Sequence, residues 1–178
     1  NEPNLNVIIQ DGRWAITNSD KQYDIISVDA YRPPYIPWHM TTVEFFQILY
    51  DHLEEDGVMV INIGRSTEDR RLIEDLYSTI HTIFPTLYVS DLSDSFNTIL
   101  YATKSETTLQ NFMENYLQLN ADTKTPPFLL EVMATTYDGL QDTPKSGIIF
   151  TDDKAPIEGI TNSLIMDFIF SGQVETLQ

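Results

Sequence analysis

The chain has 178 residues, 42% of them hydrophobic, enough for one domain with a buried core; its lack of cysteine excludes a disulfide framework, a thiolate zinc site and a cysteine nucleophile. Against 10 basic residues stand 27 acidic ones, and the net charge of −17 repels a phosphate backbone while drawing in small cations, which argues against nucleic acid as a partner. No apolar run approaches the ~18 residues that cross a bilayer and no secretory pattern opens the chain, so a soluble, cytoplasmic location is expected. His39, His52 and His81 share no metal-ligand spacing and read as structural or surface residues.

Residues 1–6 are polar and hold no initiator methionine, as expected of a piece of a longer chain. Val7-Ile8-Ile9 predicts a short strand closing on Gln10-Asp11-Gly12-Arg13, where Gly12 permits a tight turn and Asp11 sits at the strand's carboxyl end. One helical turn is expected at residues 14–17. Next comes the stretch around which the chain is organised, residues 23–38. Ile25-Ile26-Ser27-Val28 is an apolar, β-branched run of the kind buried on both faces of a parallel sheet, and it stops at Asp29. Pro33, Pro34 and Pro37 with Tyr31, Tyr35 and Trp38 then make a stiff aromatic loop. Open α/β sheets bind ligands at the carboxyl ends of their strands, so an acid there reads either as the floor of a ligand cleft or as a cap on the turn's own amides.

Thr41 or Thr42 caps a helix expected to reach about Leu53, the residues Glu54-Glu55-Asp56-Gly57 end it, and Val58 to Ile63 is a second buried strand. Ser66 or Thr67 is expected to cap a long helix to Phe84, with Leu72, Leu76, Ile80 and Ile83 as its core stripe. Residues 87–89 and 98–103 predict an antiparallel pair. Helices are expected at residues 109–119, from Pro126-Pro127 to about Tyr137, and at 161–170. The alternation of strands and helices predicts a single α/β domain over residues 1–178.

Four separated stretches, residues 23–38, Thr41 to Phe46, Asp56-Gly57-Val58 and Thr151 to Glu158, resemble the spermidine synthase (polyamine aminopropyltransferase) family in its bacterial spermidine-synthase-like branch, some of whose members are fused to membrane-spanning segments. The resemblance implies a methyltransferase-type Rossmann sandwich, here truncated on its N-terminal side, with a mostly parallel sheet and an antiparallel C-terminal pair. It implies decarboxylated S-adenosylmethionine or S-adenosylmethionine as co-substrate, no tightly bound cofactor, an amine acceptor and a homodimer. Position by position, it makes Asp29 the catalytic base and Asp11 with Gly12 the adenosine contact, and it sets Tyr31, Arg32, Asp152 and Asp153 against the acceptor. A carboxylate at the cleft floor suits that chemistry, because an ammonium of pKa near 10 must shed a proton before its nitrogen attacks the carbon beside a sulfonium. For Asp152 and Asp153 a second reading stands beside this one: capping of a helix beginning near Pro156, with Glu158 completing a capping box.

Two departures from the family pattern matter. Family synthases usually carry a second acid three residues after the catalytic one, where this chain has Arg32. A guanidinium about 4 Å from a substrate cation costs about 4 kcal/mol at an effective dielectric near 20, which disfavours a polyamine unless Arg32 pairs with an acid such as Asp153. No Gly-x-Gly turn occurs in the chain, and the family's first two strands have no counterpart. Residues 7–10 and 23–28 are then expected about 14 Å apart with unpaired edges, and the 178 residues alone are not expected to form the family's closed cofactor site. Two other readings follow: a non-catalytic, dimerising domain of the same fold, and an S-adenosylmethionine-dependent methyltransferase with a non-polyamine acceptor.

Overall fold

The computed structural model describes residues 4–30, 36–66, 69–93 and 95–170. Four strands, β1 (Tyr23–Val28), β2 (Leu53–Gly64), β3 (Thr86–Asp91) and β4 (Asn97–Thr103), form one sheet in the order β1-β2-β4-β3. Around it lie α1 (Gly12–Thr17), α2 (Val43–Asp51), α3 (Arg71–Ile80), α4 (Leu109–Ala121), α5 (Pro127–Asp138) and α6 (Ile157–Phe170). β1 runs parallel to β2, whereas β4 is antiparallel to both β2 and β3. The α/β class and the antiparallel pair are as the sequence leads one to expect.

Alternation along β2 decides where the core sits. Met59, Ile61 and Ile63 are fully buried on one face, against Phe45, Phe46 and Leu49 of α2 and Leu72, Ile73, Leu76 and Ile80 of α3. Val58, Val60 and Asn62 point to the other face and are half-buried. β1 shows the same asymmetry, with Val28 buried and Ile25 66% exposed. The expectation that β1 is buried on both faces is therefore corrected: among the described residues no layer packs over the Ile25 side.

The N-terminal strand is corrected for a related reason. Val7 and Ile8 lie outside any strand at 70% and 62% exposure, and Ile9 is 95% exposed. A strand needs a hydrogen-bonded neighbour, and none of the described strands is placed to pair with this segment, so the parallel part of the sheet is the single β1–β2 pair.

Local chemistry accounts for the remaining boundaries. Thr42 Oγ1 accepts from Phe45 N at 3.3 Å and starts α2. Glu54 to Gly57, expected as a connection, falls inside β2. Tyr23 pairs with Leu53 and Ile25 with Val58, so the acidic stretch bulges out of the ladder. α3 begins at Arg71 rather than after Ser66. The Ser66 hydroxyl accepts from Asp69 N at 3.4 Å in a turn ahead of the helix, and Thr67 lies outside the described residues. The helix also ends early, at Ile80, with a tight turn whose Ile83 and Phe84 amides both donate to Ile80 O. α6 begins at Ile157, four residues ahead of its expected start.

The segment before α6 is tied down by α3. Gly147 N donates to Ser78 Oγ at 2.8 Å, Ile148 N to the Asp75 carboxylate at 2.6 Å and Phe150 N to Thr79 Oγ1 at 3.0 Å. Asp75 is only 5% exposed, and burial pushes its carboxyl above the usual range, opposed in part by the Ile148 hydrogen bond. A native carboxyl that binds its proton more tightly than the unfolded one adds stability below the unfolded value near 3.8, and loses it as pH rises through the native value. Asp75→Asn keeps an acceptor for Ile148 and removes the titration. Urea unfolding from pH 4 to 7 is expected to show wild type losing stability relative to this variant as pH rises. Asp75→Ala orphans the amide and is expected to cost about 1–3 kcal/mol.

Candidate active site

β1 ends opposite Ile61 of β2, with which Val28 pairs, and this register brings Asp29, the residue after β1, beside Asn62 of β2. Asn62 Nδ2 donates to Asp29 Oδ1 at 3.1 Å. Asp29 is exposed, so its remaining lone pairs face solvent at the carboxyl end of a parallel pair. The Asn62 Oδ1 atom is buried and has no hydrogen-bond partner among the described residues. Asn62 escaped the sequence reading because it lies within the apolar run 58–63; the signal was available, since a lone amide in a buried strand demands a partner.

The cations beyond β2 are held by acids. Arg70 forms a two-pronged pair with Asp91 at 2.8 and 3.3 Å, and Arg65 Nε lies 3.7 Å from the same carboxylate. Burial alone would push the Asp91 carboxyl up, but Arg70 and the Thr98 hydroxyl outweigh it and hold it below the usual range.

Asp11 stands in a second cluster. Its Oδ1 caps α1 by accepting from Trp14 N at 2.9 Å, and its Oδ2 is 2.9 Å from His39 Nε2. The Trp14 amide, followed by His39, holds the Asp11 carboxyl below its ordinary value. Gly12 opens α1, where an added Cβ would meet the Met40 Cε at 3.3 Å. Arg13 reaches from the same turn to Asp152, with both contacts at 2.7 Å, and also donates to His39 O at 2.8 Å. Thr42 donates to Asp152 Oδ1 at 2.7 Å, and Glu44 accepts from Asp152 N at 3.0 Å. Arg13 first, with the Thr42 hydroxyl, holds the Asp152 carboxyl below its usual range.

Asp152 and Asp153 sit at the tip of a two-residue turn closed by Thr151 and Lys154, whose amides and carbonyls bond reciprocally at 2.9 and 3.1 Å. Neither caps α6, because the helix starts three residues beyond that turn, at Ile157. Asp152 is engaged by Arg13 and Thr42, while Asp153 is exposed and makes no hydrogen bond or ion pair with another described residue. Tyr31 and Arg32 lie outside the described residues. His52, by contrast, is structural: its ring bridges Ile48 O and Ser19 O at 2.7 and 3.1 Å. Among the described residues no helix is long and apolar enough to cross a membrane.

The sheet, with a parallel pair at one edge and an antiparallel hairpin at the other, belongs to a methyltransferase-type α/β fold, as the likeness to solved structures shows. Human methyltransferase-like protein 13, solved in complex with SAH, shares that fold at a TM-score of 0.50 and 22% identity, over 79% of this chain and 61% of that one. A spermidine synthase solved with the transition state analogue AdoDATO aligns at a TM-score of 0.57 and 23% identity, over 76% of this chain and 48% of that one. In sequence, a probable polyamine aminopropyl transferase of Bifidobacterium longum is 31% identical over 165 residues, 85% of this chain and 37% of the relative. Residues 1–112 match the spermine/spermidine synthase domain, and the chain belongs to that family. It spans less than half the length of both the B. longum relative and the AdoDATO-bound synthase.

Proposed function

We propose that the chain carries the acceptor side of a polyamine aminopropyltransferase site, with Asp29 as the base. The observation that carries this reading is the exposed Asp29 carboxylate at the end of β1, oriented by Asn62 from the neighbouring strand. The amine nitrogen attacks the propyl carbon bonded to the sulfonium of decarboxylated S-adenosylmethionine. The C–N bond forms as the C–S bond breaks, its electron pair stays on sulfur to give methylthioadenosine, and the nitrogen's proton passes to Asp29. Pairing of Arg65 and Arg70 with Asp91 leaves the acidic field of the chain to favour a cationic acceptor. Asp11, held in a single orientation by Trp14 N and His39, is the adenosine contact, with Gly12 beside it.

A second reading rests on the bare face of β1. Ile25 is exposed and the outer edge of β1 pairs with no described strand, which favours a domain that completes its sheet against another polypeptide, including a second copy of itself.

Calorimetric titration separates the two. The first reading predicts that methylthioadenosine and S-adenosylmethionine bind the purified chain and lose that binding in Asp11→Ala. A well-folded chain that binds neither, and sediments as a dimer, would instead support the second reading.

A further inference from the structure

Far less of the α4–α5 hairpin is buried than of the rest of the fold. Neither helix contains a fully buried residue. The two stack on each other through Phe112 and Tyr137, ring centres 6.3 Å apart, and hang from β3 by polar bonds, including Ser90 Oγ to Thr136 O at 2.9 Å and Asp91 N to Gly139 O at 2.8 Å. Between hairpin and sheet they leave a cavity of about 490 Å³. Interiors pack with few voids larger than a water molecule, and ligand pockets span about 300–1,000 Å³.

The floor is the cross-strand pair Tyr88 and Tyr101 with Val58 beside it, and Phe112, Val132 and Met133 contribute walls and roof. Both tyrosine hydroxyls are satisfied by the chain itself: Tyr88 donates to Thr107 O at 3.2 Å, and Tyr101 pairs with Thr136 Oγ1 at 3.3 Å. They therefore present ring faces, with no unmet polar demand. Among the described lining residues Asp56 is the one that is charged, and none of them is a cation facing it. The roof residues of α5 lie beyond residue 112, where the match to the family domain ends. Val58 of the floor lies four residues before Asn62 on β2, about 13 Å along the strand at ~3.3 Å per residue.

The geometry points to a second, small-molecule site in this cavity, for a ligand with an aromatic or aliphatic body and, at one end, an amine. The rings of Tyr88, Tyr101 and Phe112 match the body by offset or edge contact. Asp56 on the rim matches a single ammonium, and a carboxylate or phosphate in its place meets only repulsion.

Three probes that share one body and differ in charge test the site: tryptamine, indole and indole-3-acetate. Each is titrated into the ¹⁵N-labelled chain and followed by amide shifts. Saturable shifts are expected at Tyr101, Phe112 and Met133, with tryptamine tighter than indole by about fivefold, the size of an exposed ion pair, and indole-3-acetate weakest. Asp56→Asn is expected to erase the tryptamine advantage while indole still binds. Met133→Trp fills the cavity and is expected to abolish binding of all three. Asn115→Trp, at the exposed mouth, replaces it if dispersion of the spectrum shows that Met133→Trp does not fold. No saturable shift at millimolar probe, shifts that survive the folded filling variant, or shifts confined to the exposed face around Ile25 would each overturn the proposal, as would indole-3-acetate binding as tightly as tryptamine.

Discussion

Gly147→Ala is expected to destabilise the chain by about 3 kcal/mol or more, read as a fall in the urea midpoint with little change in slope. A Cβ at this position lands on the Asp75 carboxylate and within 2.6 Å of the Asp75 nitrogen and the Glu74 carbonyl carbon. Two of those three atoms belong to the backbone of α3, which is locked by Leu72, Ile73 and Leu76 in the core, so the helix cannot yield. The segment has to lift instead. Lifting breaks the amide bonds of Gly147, Ile148 and Phe150 to Ser78, Asp75 and Thr79, each worth about 1 kcal/mol and more where an amide is left buried without a partner. Phe150 is fully buried and its carbonyl receives Val43 N at 2.9 Å, so the start of α2 loosens with it. The turn that carries Asp152 follows directly, and the Arg13 pair should weaken. Gly159→Ala is the control, because nothing lies within 4 Å of its added Cβ and alanine favours a helix. Equal stability of the Gly147 and Gly159 variants would mean that the segment is not clamped on α3.

The elements legible in the sequence are those fixed by short-range chemistry. The Thr42 cap of α2, the proline entry of α5 and the β3–β4 hairpin each depend on residues a few positions apart, and all three form where the residue pattern sets them. What the pattern misjudged depends on partners elsewhere in the chain or outside it. Val7-Ile8-Ile9 has strand composition but no neighbour to pair with, so composition alone predicts a strand that the fold does not make. Glu54 to Gly57 carries turn chemistry, yet the register between Tyr23–Leu53 and Ile25–Val58 absorbs it as a bulge. Asp29 was visible because an apolar run stops at it. The clamp between Arg13 and Asp152 joins residues 139 apart, and no local spacing announces it. Asn62 lay hidden for the opposite reason: its neighbours are so apolar that the run reads as core, and only the strand pairing reveals the carboxylate beside it.

Asp29→Asn is expected to lower kcat for aminopropyl transfer about 10²–10⁴-fold, the usual contribution of a positioned general base. The substitution is nearly isosteric, and the new amide oxygen still accepts from Asn62 Nδ2, so orientation survives while basicity is lost. On the proposed role, in which Asp29 acts on the acceptor, methylthioadenosine affinity should stay within about twofold of wild type in the same variant, a change under 0.5 kcal/mol. Asn62→Ala reverses the comparison. It leaves the carboxylate in place but frees it to rotate, and the loss of one hydrogen bond to an exposed charged group, about 1.5 kcal/mol, predicts roughly a tenfold fall in kcat. The contrast between the two variants isolates the base from its support. If Asp29→Asn and Asn62→Ala lower the rate equally, Asp29 orients the amine without accepting its proton, and solvent must take it. If neither lowers the rate, the Asp29–Asn62 pair serves only to tie the end of β1 to β2, and the acceptor meets its base elsewhere.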